Sequence, residues 1–208
     1  MTRIPAVALC LAVTLSLAGC KVVKTPVASD DSVSENPISA LVDQTFDAKL
    51  LPLIAQSATE VSTLRTSVSA GLDAAGKAQG HRGAGEGAAW NFAVKGEGAV
   101  VSANLTSRAR KADLDTDDDG SADLTLQLGP VIKGTALRDF APFYDFGDFR
   151  DQIEFAELGR AINDKVSAML ILPAGDLVGK RLSFSGVVAL KSDSDAWSVT
   201  AVTVSVLP

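Results

Sequence analysis

The chain has 208 residues, 47% of them apolar and 21% charged, with a formal charge of −6. An acidic chain of this kind is a poor partner for nucleic acid, whose binding rests on neutralising phosphates. Two cysteines and one histidine leave little room for thiolate, disulfide or cysteine-metal chemistry, and the places of those cysteines remove it.

The first residues, MTRIPAVALCLAVTLSLAGCKVVK, set one positive charge at Arg3 ahead of an apolar run from Ile4 to Leu17 and small residues leading into Cys20. That is the pattern of an export signal over residues 1–19. The run is shorter than the roughly 20 apolar residues a membrane span needs, and polar residues follow it directly. Leu17-Ala18-Gly19-Cys20 resembles the lipobox of bacterial lipoproteins, where the cysteine sulfur takes a diacylglyceryl group and the new amino terminus is acylated after cleavage. Two or more acyl chains hold a protein stably on a bilayer, whereas one gives marginal binding. The expected location is therefore extracytoplasmic, with the protein lipid-anchored through Cys20 to the cell membrane or to the outer membrane facing the periplasm. Lys21, where proteins kept at the inner membrane often carry aspartate, favours the outer membrane. Cleavage discards Cys10 and lipidation consumes Cys20, so the remaining 189 residues carry no free thiol and, without Arg3, a formal charge of −7.

Residues 20–37 are polar, hold two prolines and lack periodicity, which suits a flexible tether. From Ile38 the spacing of Leu41, Val42, Phe46, Leu50, Leu53 and Ile54 predicts an amphipathic helix that Pro52 kinks or divides. Ser57-Ala58-Thr59-Glu60 reads as a capping box, and Val61, Leu64, Val68 and Leu72 as the stripe of a second helix. A glycine- and alanine-rich stretch over 71–89 then marks a boundary. After it the period becomes two. Trp90, Phe92 and Val94, then Ala99, Val101, Ala103 and Leu105, predict one long strand bent at Gly96 and Gly98. Arg108–Leu114 is a second strand, and Ala122, Leu124, Leu126 and Leu128 face one way on a third. An aromatic connection leads to a helix over about 148–170, and two last strands close the chain, the final one with an apolar phase switch near Ala201 that predicts a bulge.

Three strands, a helix and two strands, the first strand bent and glycine-containing, is the order of the OB-fold, a five-stranded Greek-key barrel. The expected fold class is α+β: a helical region over 38–80 followed by an OB-like β-barrel over 88–208 with a helix between its third and fourth strands. The segments GEGAAWNFAVKGEG, DLDTDDDGSADLTLQLGPVIKGTALRD and DQIEFAELGRAIND, in this order over nearly all of the mature chain, resemble a family of predicted periplasmic lipoproteins catalogued as a domain of unknown function. Members of that family are encoded near sugar-type ATP-driven uptake systems, so the resemblance implies an accessory part in solute uptake. The family's acidic turn has a D-x-D-G-D-G-like form, and here it reads Asp115-Thr116-Asp117-Asp118-Asp119-Gly120.

Asp115, Asp117, Asp119 and Asp123, with Gly120 among them, match the start of a calcium loop, carboxylates at alternate positions and a glycine for the sharp turn. The twelfth position, which a complete loop fills with a bidentate acid, is Leu126, and Asp-Gly between strands is independently a hairpin signal. Calcium and a plain acidic turn are thus the two readings, and no other cofactor is expected. Phe140, Phe143, Tyr144, Phe146 and Phe149 read either as a ligand or partner platform or as a plug for the open end of the barrel that packs against the helix. Asn91, Lys95, Glu97, Gln127, Arg138, Asp139, Gln152 and Glu154 are the polar residues of the family-like blocks, and they read as a ligand-binding surface or as ion pairs and a solvated face. His81, alone in a glycine-rich joint, is a poor base for a catalytic triad, so no enzyme is expected.

The leading functional expectation is a membrane-anchored, non-enzymatic binding or accessory module of the envelope for a small polar ligand such as a sugar. Against it stand a structural lipoprotein docking onto another envelope protein and, further behind, a carboxylate-dependent hydrolase.

Overall fold

The computed structural model describes residues 36–208 apart from 84, 86 and 173. The predicted export signal, Cys20 and the predicted tether up to residue 35 lie outside the described residues. Residues Glu35–Pro208 form one compact unit.

The chain enters as helix α1 (Pro37–Thr45), begun by Asn36, whose side chain accepts from the Ile38 N–H. A π-helical turn, Phe46–Leu50, leads into α2 (Leu51–Ser57). Pro52 sits in the first turn of α2, and the wider hydrogen-bonding step before it absorbs the donor that proline lacks, so the helical run continues past it. The expected capping box is not formed. Ser57 ends α2, Thr59–Glu60 make a short strand β1, and α3 (Val61–Ala70) starts after Glu60 without a side-chain cap. The parallel pairing of β1 with the long strand takes the residues that a cap would have used. Helix α4 (Leu72–Gln79) and a short strand β2 (His81–Arg82) follow.

The barrel is β3 (Trp90–Asn104), β4 (Ala109–Asp115), β5 (Leu124–Pro130), β6 (Arg181–Leu190) and β7 (Trp197–Val206). Pairing runs β3-β4-β5-β7-β6 and closes because β3 pairs with β6 as well. All contacts are antiparallel except β5 with β7. Between β5 and β6 lie α5 (Ala136–Phe140), a 3-10 turn (Phe146–Asp148) and α6 (Gln152–Met169), the last begun by Asp151, which accepts from the N–H groups of Ile153 and Glu154.

Bulges bend the strands. On β7 the ladder passes from Thr203 to Ala201 opposite Ser185 and Gly186, leaving Val202 as the extra residue, next to the predicted place. On β3 the break falls between Val100 and Ser102 and corrects the predicted phase: Val100 is buried and Val101 is 41% exposed. Gly98 is needed for a different reason, since a Cβ there would lie 2.6 Å from the Asp115 carbonyl oxygen.

Two apolar cores result. The barrel interior holds Phe92, Val94, Val100, Leu114, Leu126, Val188 and Val199, together with Val61, Leu64, Val68 and Ala75 from α3 and α4. The second core lies on the other side of the strands, where Ala93, Val187 and Val202 meet Phe46, Leu50 and Ile54 and the Leu158, Ile162 and Val166 stripe of α6. Phe140 and Tyr144 belong to this second core, with Phe143 and Phe149 against it. The aromatic segment therefore packs against the helix, as one reading expects, but does not plug the barrel: the interior is completed by α3 and α4, while Phe140 and Tyr144 fill the space between helices and outer wall.

Candidate functional site

The acidic stretch is a strand, a turn and a strand. Asp115, the last residue of β4, is buried and spends both carboxylate oxygens on the turn, Oδ1 accepting from the N–H groups of Asp117 and Asp118 and Oδ2 from that of Gly120. Burial acts to raise its pKa, but these backbone donors outweigh it and hold the carboxyl below its usual range. Asp123 closes the turn by accepting from both the N–H and the hydroxyl of Thr116. One oxygen each of Asp115, Asp117 and Asp123 lie within 4.8 Å of one another, whereas Asp119 is outside this group and accepts from Ser121. Burial, and then the neighbouring charges of Asp119, Asp123 and Asp115, push the Asp117 carboxyl up. Three carboxylates this close suit a hard cation, yet all three already accept from the loop's own backbone, Asp117 through the Asp119 N–H.

The eight polar candidates do not meet on one surface. Lys95 and Glu97 line an open groove of about 340 Å³ beside Glu60, Ser62, Thr116 and Arg181, where Lys95 pairs with Glu60 and Arg181 with Asp118. Asn91 is buried, its amide donating to the carbonyls of His81 and Ala89, so it fastens the corner between β2 and β3. Gln127 holds the chain after β5 through both the N–H and the carbonyl of Lys133. Gln152 opens α6, and Glu154 accepts from the Arg150 backbone and guanidinium. Arg138 and Asp139 form a tight pair at 2.7 Å, with the guanidinium stacked 3.7 Å over the Phe155 ring and donating to the Phe155 carbonyl.

Asp139 faces a second cavity, of about 200 Å³, which brings His81 and Arg82 of β2 and the following Gly83 together with Asp139, Pro142, Tyr144, Asp145, Phe146 and Phe155. Phe146 and Phe155 stand edge to face with centroids 5.4 Å apart, and Phe146 remains 37% exposed. The Asp139 oxygens accept from Arg138 and from the Thr135 hydroxyl, and Asp145 accepts from the Gly147 N–H through one oxygen. Tyr144 keeps its ring at the pocket while its hydroxyl is tied inward to Thr45 at 2.7 Å. The cavity lining combines rings, two carboxylates, an imidazole and a guanidinium. Of its polar residues the sequence singled out Asp139. The sequence places His81 in a glycine-rich joint, and its pairing with Asn91 across β2 and β3 is what fixes it here. Asp145 carried a signal in its place within the aromatic run.

The family model for a predicted periplasmic lipoprotein of unknown function (DUF2291) matches residues 10–205. The chain belongs to that family. Membership makes it an extracytoplasmic, membrane-anchored lipoprotein. Among its described residues no helix is long and apolar enough to cross a membrane. The lipoprotein is also similar to the crystal structure of an OB-fold protein from Thermotoga maritima, at 13% identity and a TM-score of 0.58, over 82% of this chain and 94% of that one. That likeness shows the fold. A comparison with curated proteins returns no match.

Proposed function

We propose that the lipoprotein is a non-enzymatic binding module of the cell envelope, anchored through acylated Cys20, that takes a small polar ligand such as a sugar into the aromatic pocket and serves its uptake by a sugar-type ATP-driven system. The observation that supports this reading is the convergence of Phe146 and Phe155 with the carboxylates of Asp139 and Asp145 in one cavity of about 200 Å³. A sugar ring offers an apolar C–H face to an aromatic ring, and its hydroxyls donate to acceptor-only carboxylates. The cavity is below the roughly 300–1,000 Å³ of sites for drug-sized molecules, which fits a single small ring. Binding is favoured over turnover because Asp139 is already held by Arg138 and Thr135, a posture suited to orienting a hydroxyl.

The test is a thermal melt and calorimetric titration of soluble residues 21–208 against a panel of monosaccharides. A ligand at 100 times its dissociation constant adds about 2.7 kcal/mol, a rise of roughly 5–11 °C for a domain of this size. That rise should vanish in Phe146→Ala and Asp145→Asn. A flat panel together with a defined envelope protein bound at the same residues would replace this reading with the docking one.

A further inference from the structure

We propose that a third cavity, between the end of β5 and α6, is a binding site for a small hydroxylated organic oxyanion, a carboxylate or a phosphate. The cavity measures about 400 Å³ and is separate from the aromatic pocket, with which it shares no lining residue. Its cations are Arg108, from the β3–β4 turn, and Arg160, from α6. Neither has an ion-pair partner among the described residues, although the chain as a whole is acidic. Two guanidinium groups left unpaired on one concavity of an acidic protein concentrate positive potential there, and their planar donor forks match carboxylate and phosphate.

The remaining lining selects among anions. Asn163 is over nine-tenths buried, and its amide nitrogen donates to the Gly134 carbonyl at 2.9 Å. Its Oδ1 has no partner among the described residues, and it serves as an acceptor for a ligand hydroxyl, as does the carboxylate of Asp164. Asp164 also disfavours a bare dianion, so the ligand must carry donors as well as charge. Pro130, Val131 and Ile132 give an apolar wall, which accounts for the 42% exposure of Val131. Arg108 is held beside that wall because its carbonyl accepts the Val131 N–H at 2.8 Å.

The experiment is an amide-resolved NMR titration of residues 21–208 with gluconate and with glycerol 3-phosphate, and with sorbitol as the uncharged match for gluconate. Saturable shifts should appear at residues 131–135 and 160–164 with at least one of the two anions and not with sorbitol. Arg108→Gln and Arg160→Gln should each weaken binding about tenfold, the loss of one charge-assisted contact. Both side chains are exposed, so the melting temperature should not move. Arg150→Gln, a charge outside the cavity, should leave affinity unchanged. Equal shifts with sorbitol, an equal loss in Arg150→Gln, or no saturable shift with either anion at millimolar concentration would overturn the proposal. So would sedimentation with phosphatidylglycerol vesicles that depends on both arginines while neither soluble anion binds, since the site would then serve a membrane headgroup.

Discussion

The two walls of the barrel are built on different rules. Along β4 and β5 the inner residues Ala112, Leu114, Leu124, Leu126 and Leu128 are buried while Lys111, Thr125 and Gln127 face outward, the alternation of a sheet with one side in water. Along β3, β6 and β7 both sides are covered, and the buried runs become continuous: Phe92-Ala93-Val94, Val187-Val188 and Val199 to Val202. The difference shows why the helical region stays with the barrel. Helices α1 and α2 and the π-helical turn between them cover the outer face of the second wall through Val42, Phe46, Leu50 and Ile54, and without them that face would be an exposed apolar patch.

A double-mutant cycle is the strongest way to break this picture. Leu126→Ala in the interior and Leu50→Ala in the outer core should each cost about 2–5 kcal/mol in chemical denaturation, since both side chains are fully buried. Residues in separate clusters should add to within about 0.5 kcal/mol. A larger coupling energy would mean that the two cores are one. Next in size is Gly186→Ala. The added methyl would press on the Thr200 carbonyl oxygen across the β6–β7 bulge, and such overpacking costs about 1–3 kcal/mol. A neutral result would show that the bulge at Val202 gives way.

The first wall was legible in the sequence and the second only in part. Alternation over Leu124, Leu126 and Leu128 assigns a strand and its face together, because a polar residue separates each pair. At Ala99-Val100-Val101 three apolar residues in a row carry no phase, and the alternation puts Val101 inward where Val100 belongs. The phase switch on β7 located a bulge, but the ladder was needed to show that Val202 turns outward to the helices. The candidate site divides in the same way. Lys95, Glu97, Gln127 and Asp139 border cavities, but Gln127 is also tied to the Lys133 backbone and the Asn91 amide nitrogen to two carbonyls, and a polar residue in a strand looks the same in either role. Arg108 and Arg160 are silent in the sequence because isolated arginines carry no motif; only the fold sets them around one cavity.

A smaller effect tests how the aromatic segment is fastened. The Tyr144 hydroxyl shares a buried hydrogen bond with Thr45, whose own oxygen also reaches the Leu41 carbonyl. Burial, as the first cause, raises the Tyr144 pKa, so the phenol stays protonated at neutral pH. Tyr144→Phe should cost about 0.5–1.5 kcal/mol by denaturant titration and should leave ligand binding in the pocket intact, since the ring remains. A loss of binding at unchanged stability would make the hydroxyl part of the site.

The acidic turn should give the smallest change and the most specific one. Asp115 has a depressed pKa in the folded state, so its contribution is present above the unfolded carboxylate value of about 3.9 and is lost as pH falls through the folded value. Asp117 is raised, so its contribution has the opposite sign: it is favourable below the unfolded value and is lost as pH rises through the folded one. Asp115→Asn should therefore lower the melting temperature at pH 7, because an amide NH₂ would face the Gly120 N–H that Oδ2 now accepts. The gap to the parent protein should narrow below pH 4. Asp117→Asn should leave the pH 7 melting temperature unchanged or slightly higher, since it removes a charge from a crowded set. Calcium and a chelator should give coincident melts, because Asp115 and Asp123 already serve the turn's own N–H groups. A calcium-specific rise that disappears in Asp117→Asn would reverse that reading, making the β4–β5 turn a cation site whose repulsion at Asp117 is relieved by the ion.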